Sequence, residues 1–110
     1  MTDVRDTPRA SAALLDVLIA LLDTDDQELD GWEIIKAARR SGPTVYQVLE
    51  DLSRAELVQS RWEDIPPSPE RARRRYYRLT PNGVAYASRV VANKRSRALR
   101  TLRLAMGGQF

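Results

Sequence analysis

The tetrapeptide Ser41-Gly42-Pro43-Thr44 stands between two amphipathic stretches and leaves them almost no connecting chain. Gly42 breaks a preceding helix. Pro43 suits the first position of the next one, where no N–H is needed. After the break, PTVYQVLEDLSRAE (43–56) sets Val45, Val48, Leu49 and Leu52 at i, i+3, i+4 and i+7, one apolar helical stripe. Before it, DGWEIIKAARR (30–40) sets Trp32, Ile35 and Ala38 on one face, broadened by Gly31 and Ile34. Asp30 serves there as N-cap, with Glu33 completing a capping box. Two helices joined by a tight Gly-containing turn predict a helix-turn-helix. On the second helix Gln47, Glu50 and Arg54 point away from the stripe, while Thr44, Tyr46 and Asp51 flank it. Taken alone, that outer face reads equally well as an ordinary solvated helix surface.

The next segment tilts the balance. LVQSRWE (57–63) alternates, with Val58, Ser60 and Trp62 on one side and Leu57, Gln59, Arg61 and Glu63 on the other. RRRYYRL (73–79) also has strand character, with Arg75, Tyr77 and Leu79 sharing a side. Between them DIPPSPERA is charged, proline-rich and unable to be regular. This predicts a β-hairpin with a long polar tip, a wing following the helix-turn-helix. Of Tyr76 and Tyr77 one is expected in the core, and Trp32 and Trp62 are both expected there.

The two ends predict a partner. Residues 1–8 read as a disordered arm. A helix is expected over 9–23, where Asp16 alone interrupts the apolar run Leu14–Leu22. Such a helix needs cover on two sides, so Leu14, Leu18 and Leu21 are expected at a dimer contact. A polar linker follows at 23–28. Thr80 and Pro81 open a last helix that runs to Met106 and stops at Gly107-Gly108. Along it Val84, Val91, Ala98 and Ala105 recur by sevens, with Leu99, Leu102 and Met106 beside them. A helix of some 25 residues is about 38 Å long, too long for so small a domain. Part of it should project, placing Val91, Ala98, Leu99 and Leu102 against a second copy. The fold class is thus mainly α with a small β-hairpin: a winged helix-turn-helix over 9–80, a dimerisation helix over 81–106 and a tail at 107–110.

Charge is divided along the chain. Up to Glu70 there are seven basic and fifteen acidic residues; from Arg71 onward there are eleven basic and none acidic. The second part will attract a polyanion, and it can also pair with the first. Neither cysteine nor histidine occurs, which removes thiolate metal sites, disulfides and the usual general base. No nucleophile–base pair, metal cluster or phosphate-binding glycine loop is legible, so neither an enzyme nor a cofactor or metal is expected. No run is long enough to span a membrane and no signal peptide opens the chain, which predicts a cytoplasmic protein.

Order and motifs together resemble the PadR-type winged-helix transcriptional regulators, in the short form with a single C-terminal helix. The resemblance covers about residues 12–105. It rests on GWEII (31–35), PTVYQVLEDL (43–52), LVQSRWE (57–63) and RRRYYRLTPNG (73–83), the last two being the most specific. It implies a bacterial dimeric repressor, nucleoid-associated when bound, with its third helix in the major groove. It also implies dimerisation through the first and last helices, and response to a small hydrophobic or aromatic effector near the dimer interface. The expected partners are double-stranded DNA and a second copy of the chain. The DNA candidates are Thr44, Tyr46, Gln47 and Arg54 on the third helix and Arg73, Arg74 and Arg75 at the wing base. There are departures from the pattern. Ala55-Glu56 replaces a common glycine, Glu50 and Asp51 put acid on the DNA face, the wing tip is proline-rich, and the last helix lacks tryptophan. The competing class is a winged-helix protein-interaction module, which would use the same fold without reading DNA.

Overall fold

The computed structural model describes residues 11–24 and 28–107. The expected arm and the start of the first helix lie outside them, as do most of the tail and the middle of the linker. Seven elements follow in order: α1 Ala12–Leu22, β1 Leu29–Asp30, α2 Gly31–Ala38, α3 Gly42–Arg54, β2 Val58–Trp62, β3 Arg75–Leu79 and α4 Pro81–Ala105.

The helix boundaries follow the capping chemistry. Ser11 Oγ accepts from Leu14 N at 3.1 Å and starts α1. Asp30 and Glu33 form the reciprocal capping box, at 2.8 and 3.1 Å, and start α2. Arg39 in the left-handed region, φ 57°, ends α2, and α3 begins at Gly42 with Pro43 in its first turn. Glu56, φ 60°, turns the chain after α3 where a glycine would do so without a Cβ penalty. Thr80 caps α4 through Gly83 N at 3.0 Å and donates back to the Glu56 carbonyl at 2.9 Å, tying the end of α3 to the start of α4. A side chain on Gly83 would run into the Leu57 carbonyl, so this junction needs a glycine.

The expected hairpin forms from β2 and β3, and the sheet has a third strand. β1 joins its edge, giving the antiparallel order β1-β3-β2, with Leu29 opposite Tyr77 and Val58 opposite Leu79. Two residues, the second of them the α2 N-cap, carry no alternation to detect, so β1 has no sequence signal. Tyr77 is the buried tyrosine of the pair, while Tyr76 lies on the other face beneath the Arg61 guanidinium, 5.0 Å from its ring centre.

The core corrects two expectations. The α3 stripe Val45, Val48, Leu49 and Leu52 is buried as expected. Leu14, Leu18 and Leu21 are also buried, but inside the single chain. α2 and α3 cover α1 on one side and the first half of α4 covers it on another. Most of its apolar surface is therefore covered without a partner, with Ile19 left exposed, and these three leucines have no surface left for one. Neither tryptophan is core: Trp32 is 63% exposed and Trp62 is 53% exposed. The buried residues of α2 are Gly31, Ile34 and Ala38, so the inward face is turned away from Trp32. Trp62 lies at the outer end of β2, beyond the reach of the core.

α4 divides in two. Its buried residues are Gly83, Tyr86, Ala87 and Val90, all in its first ten positions. Val91 is half-buried against the core, whereas Ala98, Leu99 and Leu102 stand exposed. The projecting half gives the molecule its 62 × 33 × 24 Å extent.

Candidate nucleic-acid interface

α3 presents its polar face because its opposite face is fixed in the core. Tyr46 is 50% exposed, yet its hydroxyl end rests on Gly31 of α2, where any added Cβ would meet it. The ring is thus supported on one side and open on the other. Thr44 accepts from Ser41 Oγ at 3.0 Å and lies at the first turn. Gln47 is exposed, its amide nitrogen donating to Asp51 Oδ1 at 3.1 Å, which leaves its carbonyl oxygen outward. Arg54 is turned back along the helix to Glu50 at 3.0 Å and toward Asp51 at 3.8 Å. The acids on this face therefore pair first with their own helix.

The wing is secured at several points. The Glu63 amide donates to the Arg74 carbonyl at 2.7 Å, extending the ladder beyond β2 and β3. Arg71 forms a two-pronged contact with the Glu63 carboxylate at 2.6 and 2.8 Å. That hydrogen bond holds the Glu63 carboxyl below its ordinary range, against a smaller opposing effect of desolvation; a backbone hydrogen bond from Arg74 acts in the same direction as Arg71. Arg61 is clasped by Glu28 at 2.8 Å on the far side of the sheet.

Arg73 and Arg74 lie in the irregular segment before β3, so strand alternation does not sort them. Arg74 reaches Asp30 at the α2 cap, 3.6 Å away. Arg75 is exposed but engaged, bonded to Ser60 Oγ at 2.9 Å and lying 5.2 Å from the Trp62 ring centre and 5.9 Å from that of Tyr77. Arg73 has no ion-pair partner among the described residues. All three arginines line one cleft of about 880 Å³ with Tyr46, Trp32, Trp62 and the first turn of α2. Thr44, Gln47 and Arg54 lie outside its lining. Sequence reasoning missed Lys36 here, and also Trp32 and Trp62, because a large apolar residue beside a core stripe is ordinarily buried.

Among the described residues no group of carboxylates could hold a metal, and no helix is long and apolar enough to cross a membrane. Tyr77 and Tyr86 titrate above their ordinary value because burial disfavours the phenolate; Arg75 and Arg89, respectively, oppose this.

Comparison with known proteins places this geometry. The model of the transcriptional regulator PadR-like family matches residues 18–89. Among solved structures, BpsR of Bordetella bronchiseptica aligns at 25% identity and TM-score 0.65, over 89% of this chain and 70% of that one. Its DNA binding is regulated by 6-hydroxynicotinic acid. The smu.1704 protein of Streptococcus mutans aligns at 20% identity and TM-score 0.71, over 94% and 96% of the two chains. MepR, a transcription regulator of the Staphylococcus aureus multidrug efflux pump MepA, aligns at 23% identity and TM-score 0.59. There 82% of this chain covers 63% of that one. The last two likenesses concern the fold alone. No curated protein sequence matches the chain. The family and BpsR are regulators, not enzymes.

Proposed function

The chain belongs to the PadR-like family of DNA-binding transcriptional regulators, and from that premise we propose that it is a dimeric repressor reading an inverted-repeat operator. The observation that carries this is Tyr46 on the outer face of α3 lining one cleft with the three wing arginines, with Gln47 exposed and Thr44 half-buried on the same helix. The opposite face of α3 is locked into the core, so the helix can enter a groove as a rigid body. The exposed Ala98, Leu99 and Leu102 of the projecting α4 supply an apolar stripe for a second copy. Pairing two such stripes about a two-fold axis puts both α3 helices on one side of the duplex, about one helical turn apart.

Footprinting upstream of its own gene tests the proposal. Two protected half-sites in inverted order are expected, and a single unrepeated site would remove the dimeric reading. Gln47→Ala should lose roughly 1–3 kcal/mol on that operator and little on scrambled DNA. Equal loss on both would show that Gln47 does not read sequence. Regulation by a small hydrophobic or aromatic molecule belongs to the same proposal, supported by BpsR and its hydroxynicotinic acid. Release of the operator by aromatic acids, followed by anisotropy, is its measurement. The ion pairs that occupy Arg54, Glu50 and Asp51 favour a second reading, a protein-interaction module. That reading moves ahead if no change on α3 or the wing alters DNA affinity.

A further inference from the structure

We infer that the cleft between α2, Tyr46 and the wing root seats one sugar–phosphate strand of duplex DNA, with Trp32 and Trp62 packed on its deoxyriboses. This rests on the reading of α3 and the wing as DNA-contacting elements. The major and minor grooves of a duplex are separated by a single sugar–phosphate strand. A protein that puts a helix in one groove and a wing in the next must have that strand pass between them. In this molecule the space between them is the cleft of about 880 Å³.

Its lining suits such a strand. The acids present, Asp30 and Glu33, are already committed to the α2 capping box, and Asp30 also faces Arg74. Arg75 is held among Ser60, Trp62 and Tyr77. That leaves Arg73 and Lys36 as the lining cations without an ion pair among the described residues, a complement to phosphate. Two indole rings more than half exposed are costly to hydrate. Each already has a cation beside it, Lys36 at 5.6 Å from the Trp32 ring centre and Arg75 at 5.2 Å from that of Trp62. In a paired duplex the base faces are stacked and closed to them. The apolar surface a strand offers at its outside is the deoxyribose.

A sugar contact has its own signature. It carries no charge, so its loss leaves the salt dependence alone, and it ignores base sequence. The protein's two tryptophans both line the cleft, so intrinsic fluorescence reports its occupancy. The probe is a dye-labelled random-sequence duplex, with binding followed by anisotropy and occupancy by indole emission and acrylamide quenching. Binding should shift the emission and protect both rings from acrylamide. Trp62→Ala and Trp32→Ala should each weaken binding roughly tenfold, as burial of part of a ring implies, with an unchanged salt slope. Trp62→Phe should recover most of the loss, and circular dichroism should show every variant folded. If the duplex binds while both rings stay open to acrylamide and the alanine variants bind normally, the cleft is not the strand seat, and the DNA-binding reading survives. Emission that responds to a small aromatic acid but not to bound duplex also overturns the inference, in favour of a ligand pocket. If no duplex binds at any salt concentration, the DNA-binding reading falls and takes the inference with it.

Discussion

At the scale of single residues, the three wing arginines are not equivalent, although the sequence presents them as one run. Arg73 lacks an ion pair among the described residues, whereas Arg74 faces Asp30 and Arg75 is bonded to Ser60. Arg73→Ala should therefore weaken operator and scrambled DNA alike and lower the slope of log K against log salt by about one unit. Arg74→Ala should cost stability as well, because it uncouples the wing root from the α2 cap. The check is a salt titration and a thermal melt on both variants. Identical melts with identical slopes would mean that both side chains are simply solvated. The run of basic letters was legible, but this division was not. It depends on Asp30 and Ser60, which lie far away in sequence and reach the arginines only through the sheet register.

At the scale of elements, the helices were largely legible because their caps and stripes are local. Asp30 with Glu33, Thr80 with Gly83 and the α3 stripe are each written within a single turn or two. β1 and the exposure of both tryptophans were not legible, since each depends on which neighbour arrives. Two elements carry testable strain or charge. Glu56 holds a left-handed conformation, φ 60°, at the end of α3. Glu56→Gly should relieve that cost and stabilise the fold by about 0.5–1 kcal/mol, net of the glycine's extra chain entropy. A rise in Tm of a few degrees checks it, and an unchanged or lower Tm would count against it. The wing depends on Glu63, whose carboxyl is held below its ordinary value of 4.5, chiefly by the Arg71 hydrogen bond. A lowered folded-state pKa contributes stability that is present above 4.5 and lost as pH falls through the folded value. Amide exchange over residues 64–72 should therefore quicken on acidification below that range, ahead of exchange in α3. Glu63→Gln should reproduce the loosening at neutral pH. A wing equally protected in both conditions would show that the clamp does not order it.

At the scale of the whole molecule, the proposed assembly turns on α4. The sequence offers two reasons to expect a partner, an all-round apolar α1 and an overlong last helix; α1 is largely covered within the chain, while the second half of α4 is exposed. α1 is enclosed by α2, α3 and the first half of α4, so its leucines are a core and not an interface. The proposal that follows is a separation of folding from assembly that the sequence did not suggest. Periodicity shows that a helix wants cover; it does not show whether that cover comes from the same chain. Every buried residue of α4 lies at or before Val90. Beyond it, Leu99 is 63% exposed and Leu102 is 55% exposed. Removing residues 92–110 should therefore leave a folded domain whose Tm falls only slightly. It should also remove the second copy, and with it the gain from engaging two half-sites at once. Sedimentation of full-length and shortened chains should show a dimer and a folded monomer, respectively. The monomer should still bind a single half-site, with the weaker affinity of one α3 and one wing. A shortened chain that unfolds would show that the projecting half of α4 stabilises its own domain. One that remains dimeric would move the interface elsewhere, with the exposed Ile19 flank of α1 as the next surface to test.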